Sequence, residues 1–414
     1  MRKSPLLPIF LIVAVDILGL TIIIPLLPFY AERFGATPQV VGILTASYAI
    51  CQFLAGPILG KISDRVGRRP LLLVSQVGTF IGFLILGWAH TLTMVFVSRI
   101  IDGITAGNIS LAQAYIADVT EPENRTRAFG LIGVSFGFGF LIGPAISGFL
   151  AQYGYQYPIY AAAALSAISI IATYFLLPRT LPHESHGETR YESDETADET
   201  GRRLSVFDFG AYAKFFKHTE IAPLLWQFLC FTLTFSLFIS GFALFAERRF
   251  TWHDVPFGPR EVGFMYAYAG FLGLILQGGL IGRLTKKYGE KKLILTGFMA
   301  AAVGYVMLGL TFRFGFLIIV TMITSYGTGV LRPAITSLIT RAASRREQGV
   351  VLGLTQSVTS VAQIFCPLLA GALIGRSHLM AWSFCAAGAA LIGYFVAQSQ
   401  FSKSSEPAEA ISTA

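Results

Sequence analysis

The sequence predicts an all-α integral membrane protein, with twelve transmembrane helices in two pseudo-symmetric six-helix bundles. Composition is the first reason. Of 414 residues, 54% are hydrophobic and 13% charged, more apolar surface than one water-soluble core can bury, so lipid must cover it. Run length is the second. Crossing a bilayer takes roughly 20 apolar residues per helix. Such runs recur near 7–30, 39–61, 71–89, 91–116, 127–152, 157–178, 221–246, 261–283, 292–311, 315–339, 347–375 and 379–400. Internal duplication is the third. Gly60-Lys-Ile-Ser-Asp64-Arg65-Val-Gly67-Arg68-Arg69-Pro70 lies between spans 2 and 3. Gly282-Arg-Leu-Thr-Lys-Lys-Tyr-Gly289-Glu-Lys-Lys lies between spans 8 and 9, with Gly60 matching Gly282 and Gly67 matching Gly289 at an offset of 222. An offset of 223 pairs Gly130 with Gly353, Pro144 with Pro367 and Gly148 with Gly371. Two similar bundles rocking about a central site are the physical solution to alternating access, so the duplication points to a transporter.

Taken in order, span 1 follows Arg2 and Lys3 as a signal peptide would. It is longer than an h-region, carries Asp16 and lacks a small-x-small cleavage site, so it is expected to be retained. Spans 1 to 6 make an N-terminal bundle over 1–178. A cytoplasmic linker is expected over 179–219, acidic and too poor in apolar residues to offset the entropy of ordering. Its His183 and His186 read as solvated side chains. Within it, Val206 to Lys217 alternates Phe207, Phe209, Tyr212, Phe215 and Phe216 with polar residues and predicts a short interfacial helix. Spans 7 to 12 make a C-terminal bundle over 220–401, and 402–414 is expected to be a disordered tail.

A net charge of +8 would suit nucleic acid, but the positions of Lys and Arg decide otherwise. With both termini in the cytoplasm, 23 of the 31 fall in cytoplasmic segments and 6 in outside loops, leaving Arg99 and Arg332 within spans. That asymmetry satisfies the positive-inside rule and predicts a multi-pass protein of the cell membrane. Cys51, Cys230, Cys366 and Cys385 all lie in apolar runs and read as small hydrophobic residues. The sequence has no His-Glu-x-x-His, Gly-x-Ser-x-Gly or phosphate loop, so an enzyme is not predicted and neither cofactor nor metal is expected. The expected partners are a small-molecule substrate, protons and the bilayer, with no nucleic acid and a monomeric state.

Charges inside spans are the sharpest functional signals, since each costs about 2.5–3.5 kcal/mol at a helix centre on insertion scales. Asp16 lies in the middle of span 1. Arg99 and Asp102 of span 4 are three residues apart and share a helix face. Arg332 of span 10 is followed at once by Pro333. One acid can be paired by Arg99, leaving the other to take up and release a proton.

The loop Gly60-x3-Asp64-Arg65-x-Gly67-Arg68-Arg69 resembles the signature of the major facilitator superfamily. Within that superfamily the chain resembles tetracycline-resistance-type drug:proton antiporters. The residues that carry this are Asp16-Ile-Leu-Gly19 with Pro25 and Pro28, Arg99-x2-Asp-Gly103-Ile104-Thr105, Ile116-Ala-Asp118, and Gly130-x8-Gly139-x3-Gly143-Pro144-x2-Ser147-Gly148. The last matches the superfamily's antiporter pattern except where Ser147 replaces a glycine. The resemblance implies proton-coupled export of small amphipathic or lipophilic compounds by a rocker switch, with spans 1, 4, 7 and 10 lining the cavity. The alternative on the same fold is a proton-coupled uptake symporter for a sugar, organic anion or other metabolite.

In these terms Asp16 is the first candidate for the exchanged proton and Asp102 the second, with Arg99 exchanging partners between them. Gly60, Asp64, Arg65, Gly67, Arg68 and Asp118 are expected to form a cytoplasmic gate. There the glycines reverse the chain, the arginines hold headgroups, and Asp64 latches onto the N-terminus of span 11 for about 0.3–1 kcal/mol. Gly130, Gly139, Gly143, Pro144 and Gly148 predict a tight, bent helix interface between the halves. Gln52, Asn108, Trp226, Phe231, Tyr326, Arg332 and Gln356 are candidates for the substrate cavity, Arg332 either binding an anionic group or balancing the acids. Two departures weigh against tetracycline itself. The acid those exporters carry in span 3 falls at Gly82, and span 8 has no histidine.

Overall fold

The computed structural model of the chain describes residues 6–120, 122–178, 220–343 and 348–403. The expected linker, its interfacial helix and the tail beyond 403 lie outside them. The described chain is almost wholly helical. Eleven helical segments are long and apolar enough to cross a membrane. One of them, Pro259–Leu310, is 52 residues long and turns at Gly289 (φ 76°, ψ 160°), so it holds two crossings and brings the total to twelve.

The first six are Leu6–Glu32, Pro38–Val66, Arg68–Gly87, Leu92–Thr105 with Asn108–Val119, Pro122–Ala151 and Gln156–Leu176. The second six begin with Ile221–Arg249 and the long segment that supplies spans 8 and 9. They end with Phe314–Ala342, Gln348–Gly375 and Leu379–Lys403. A two-residue β pairing, Thr251–Trp252 with Val255–Pro256, marks one end of the molecule, here the hairpin face. The turns at Gly67 and Gly289 mark the other.

The motif loop is shorter than its sequence suggested. Span 2 stays helical to Val66 and span 3 begins at Arg68, so Gly67 alone reverses the chain, at φ 101° and ψ 150°. Gly60 is a helical residue of span 2, a correction to its expected place in the turn. The reason is that polar residues at a helix end interrupt an apolar run without interrupting the hydrogen-bonded backbone. Span 4 departs from expectation in the opposite sense. Ala106 (φ −71°, ψ 71°) breaks it, and a new helix starts at Asn108. Span 8 contains a five-residue π-helical turn, Leu276–Leu280, a local widening frequent at functional sites.

The halves meet along two seams, span 2 with span 11 and span 5 with span 8. Both are built from backbone approaching backbone. A Cβ on Gly42 would lie 2.4 Å from the Pro367 oxygen, and one on Gly371 2.4 Å from the Pro38 oxygen. On the other seam, a Cβ on Gly263 would lie 2.6 Å from the Pro144 oxygen and one on Gly270 2.4 Å from the Phe140 oxygen. Pro144 has no N–H, which deprives the Phe140 carbonyl of its partner within the helix. Span 8 comes closest where that carbonyl is bared.

Among the described residues, the seam between spans 2 and 11 is tight near the hairpin face and loosens towards the other. Gly42 and Gly60 are 18 residues apart, about five turns, and therefore share a face of span 2; the same spacing relates Gly371 to Gly353 on span 11. Gly42 and Gly371 are pressed against the opposite half, whereas among the described residues Gly60 and Gly353 have no atom within 4 Å of a would-be Cβ. Glu32 and Arg248 add an ion pair of 2.5 Å between spans 1 and 7 at the hairpin face. Among the described residues, the contacts between the halves are thus tighter at the hairpin face than at the Gly67 face.

Candidate functional site

Asp16 does not face the cavity charges. Its carboxylate accepts a hydrogen bond from Gln76 Nε2 of span 3 at 3.2 Å, and that nitrogen also donates to Ser169 Oγ of span 6 at 2.8 Å. Gln76 and Ser169 are both fully buried. The arrangement is an acid among neutral polar groups, enclosed by spans 1, 3 and 6.

Arg99 and Asp102 form a second site on the far side of span 3. Their 3.2 Å ion pair is nearly sealed from solvent, at 4% and 3% exposure. Arg99 lies over the rings of Tyr48 and Phe83, 5.7 and 5.8 Å from their centroids, placements that favour a cation. Its Nε has no hydrogen-bond partner among the described residues. Close packing explains why the pair fits. Gly103 lies against the Tyr48 carbonyl of span 2, and Gly78 and Gly82 of span 3 lie against Thr105 and Asp102. A Cβ at Gly82 would be 3.1 Å from that of Asp102. The carboxylate of Asp102 thus stands beside the position where the resemblance leads one to seek an acid, but it belongs to span 4.

Of the four in-span charges, expected to face one another or water, only Arg99 and Asp102 meet among the described residues. Helix rotation is the cause: Gln76 points from span 3 to one side while Gly78 and Gly82 point to the other. Arg332, in the opposite bundle, is exposed and has no ion-pair partner among the described residues.

The other cavity candidates divide. Gln52 donates to the hydroxyl of Tyr48 at 3.4 Å and so continues the chain of groups around Arg99. Asn108 opens the second half of span 4 with Oδ1 buried and unpartnered among the described residues. Trp226 and Gln356 are exposed. Phe231 is corrected from the cavity to the core: it is 5% exposed and stacks on Phe235 at 6.0 Å. Tyr326 shares an exposed 3.0 Å hydrogen bond with Thr296 of span 9.

At the Gly67 face, Arg68 holds Asp64 at 2.6 Å and Asp118 at 2.9 Å, and donates to Ser63 Oγ at 2.6 Å. The expected contact of Asp64 with the N-terminus of span 11 belongs to a state closed at this face; here its carboxylate is held by Arg68, and residues 344–347 before span 11 lie outside the described set. Arg65 is exposed. The antiporter pattern serves two partners. Gly139 and Gly143 admit Ile17 and Thr21 of span 1, with Thr21 Oγ1 donating to the Gly139 carbonyl at 2.8 Å, while Pro144 and Gly148 meet span 8. The surroundings of Gly130 lie outside the described set.

Sequence reasoning missed Gln76, Ser169, Glu32 and Arg248, which carry no motif. It also missed Glu290, whose carboxylate lies 3.2 Å from Arg341 and accepts from Ser337 at 2.7 Å. The duplication held the signal for that pair, since 68 plus 222 is 290 and 118 plus 223 is 341.

Compared with known proteins, the chain matches the description Major Facilitator Superfamily over residues 9–281 and 257–410. It is 31% identical over 369 residues to the tetracycline resistance protein, class B, of Escherichia coli, covering 88% of this chain and 87% of that one. Multidrug resistance protein 2 of Bacillus subtilis (strain 168) is 28% identical over 87% of this chain and 86% of its own. Among solved structures, the human organic anion transporter MFSD10 (TETRAN) superposes with a TM-score of 0.67 at 22% identity, over 95% of this chain and 99% of that one.

Proposed function

Since the chain belongs to the major facilitator superfamily, whose members are membrane transporters and not enzymes, we propose that it is a proton-coupled exporter of small amphipathic or lipophilic compounds. One observation carries the coupling: Asp16 is a carboxylate within the N-terminal bundle, held by the neutral side chains of Gln76 of span 3 and Ser169 of span 6, with no cation contacting it among the described residues. Such a group can change charge without breaking an ion pair. Asp102, beside Arg99, is the second member of the pathway, and a change in its contact with Arg99 as the halves rock links proton movement to the cavity.

The Gly67 face is the cytoplasmic one, as the distribution of Lys and Arg requires, and the looser contacts between the halves there support a state open to the cytoplasm. Cargo enters from that side. Closure there must separate the hairpin-face contacts, beginning with Glu32 and Arg248. The resistance phenotypes in the names of its relatives support export of toxic compounds. The neutral Gly82 and the absence of a histidine in span 8 argue for a cargo other than a tetracycline–metal chelate.

The test is a growth screen of an efflux-deficient bacterium expressing the chain against lipophilic toxins and organic anions. Transport of any compound it protects against is then followed in everted vesicles. Energised uptake that collapses with a protonophore supports the proposal. Movement of cargo and protons in the same direction replaces export with uptake.

A further inference from the structure

Gln76 has an orphan atom that the exporter reading does not use. Its amide nitrogen spends both hydrogens, on Asp16 Oδ2 and on Ser169 Oγ, while Oε1 is buried with no partner among the described residues. Gln76 is fully buried, so water does not reach that oxygen. The orientation is the one an ionised carboxylate requires, because a carboxylate only accepts. A protonated Asp16 instead has an O–H to donate, and the nitrogen now facing it cannot accept. A half-turn of the amide would bring Oε1 to that O–H and to the Ser169 hydroxyl, which in the present arrangement serves the Asp16 carboxylate and reaches the Ile12 carbonyl at 3.5 Å.

We propose that Asp16, Gln76 and Ser169 together form the coupling-ion site, that the ion is a proton, and that Gln76 is a positioning residue whose amide turns to match each state of the carboxyl. The assignment deepens the exporter reading and rests on Asp16 being its proton carrier. It also moves the proton out of the central cavity, to the junction of spans 1, 3 and 6.

The surroundings contain little else that titrates. Span 3 presents Gln76 and span 6 presents Ser169. The described part of span 5 beyond residue 132 has no ionisable side chain. Tyr115 of span 4 directs its hydroxyl to the Pro178 carbonyl. The Arg99–Asp102 pair, with Tyr48 and Cys51 of span 2, stands across span 3. Glu247 and Arg248 of span 7 and Arg260 and Glu261 of span 8 lie at the hairpin face.

The test needs no cargo. Infrared difference spectra between acid and alkaline pH are recorded on the full chain in phosphatidylcholine vesicles, with the side-chain amide carbon of glutamine isotopically labelled. The expected spectrum contains a carboxyl band and a labelled amide band with the same midpoint. Asp16→Asn removes both. Gln76→Leu and the isosteric Gln76→Glu remove the amide band and change the proton affinity at least tenfold, one pH unit. Gln76→Asn, recorded with the side-chain amide carbon of asparagine labelled instead, retains coupled bands. If Asp16→Asn leaves the carboxyl band intact, the exporter reading loses its proton carrier. If that variant removes the carboxyl band while the Gln76 variants titrate as wild type, Asp16 stands and the role of Gln76 is overturned. Sodium chloride producing the same spectrum at fixed pH overturns the proton in favour of sodium.

Discussion

The two halves share a scaffold but differ in chemistry, and the difference shows what the duplication kept. In both, a glycine at positive φ ends the second helix of the half, and the first residue after it is tied to the end of the fourth. Arg68 meets Asp118 in the N-terminal half, and Glu290 meets Arg341 in the C-terminal half. The geometry is the same and the signs are exchanged. A corner that works with either polarity is a mechanical tie, not a binding site for a particular ion. Depth within the halves shows a sharper contrast. At offset 222, Asp16 corresponds to Phe238 and Asp102 to Thr324. Phe238 sits among Phe242, Tyr266 and Tyr305 at 4.9 to 5.9 Å. At these two matched positions the N-terminal bundle keeps carboxylates, where the C-terminal bundle has an aromatic cluster and a hydroxyl.

The largest expected effect breaks that contrast at its deepest point. Asp16→Asn lowers transport driven by a proton gradient by about a hundredfold, roughly 2.7 kcal/mol in barrier terms, with cargo exchange still measurable. Phe238→Leu at the matching position stays within about threefold. An equal loss in both would mean that the halves are not specialised. Next are the corners. Arg68→Glu sets three carboxylates together and is expected to slow efflux about tenfold, roughly 1.4 kcal/mol. Adding Asp118→Arg gives the first corner the polarity of the second and restores most of the rate. Failure of that rescue, with the protein folded by size-exclusion chromatography, would show that polarity matters.

The turns come third. Alanine at Gly67 or Gly289 meets backbone angles that side chains avoid, at a cost of about 1–3 kcal/mol. Melting in detergent should fall by similar amounts for the two. The smallest effect is at Asp64, 61% exposed beside Arg68. Asp64→Asn is expected to slow turnover about twofold, roughly 0.4 kcal/mol, with affinity unchanged and the difference shrinking in high salt.

Much of this architecture is written in short-range pattern. Apolar run length locates the spans, and the repeated glycines locate Gly67 and Gly289. What the pattern omits depends on rotation and neighbours. Asp16 reads as a lone acid because its partners sit 60 and 153 positions away, on helices whose facing sides no single run reveals. The break at Ala106 carries no proline, and Thr105-Ala-Gly-Asn108 reads as helix with small residues. Arg68 reads as a membrane-surface charge because Asp118 is adjacent only after spans 2 to 4 have packed.

The bared contacts along the seams have a mechanical consequence. Where Gly42 meets Pro367 and Gly270 meets Phe140, backbone lies on backbone, so at these two points rotation need not drive a change of rotamers. Smooth backbone surfaces of this kind are bearings. They place the fulcrum of the motion on the seams themselves, and a bulky residue at either glycine would jam the joint while leaving every polar group untouched.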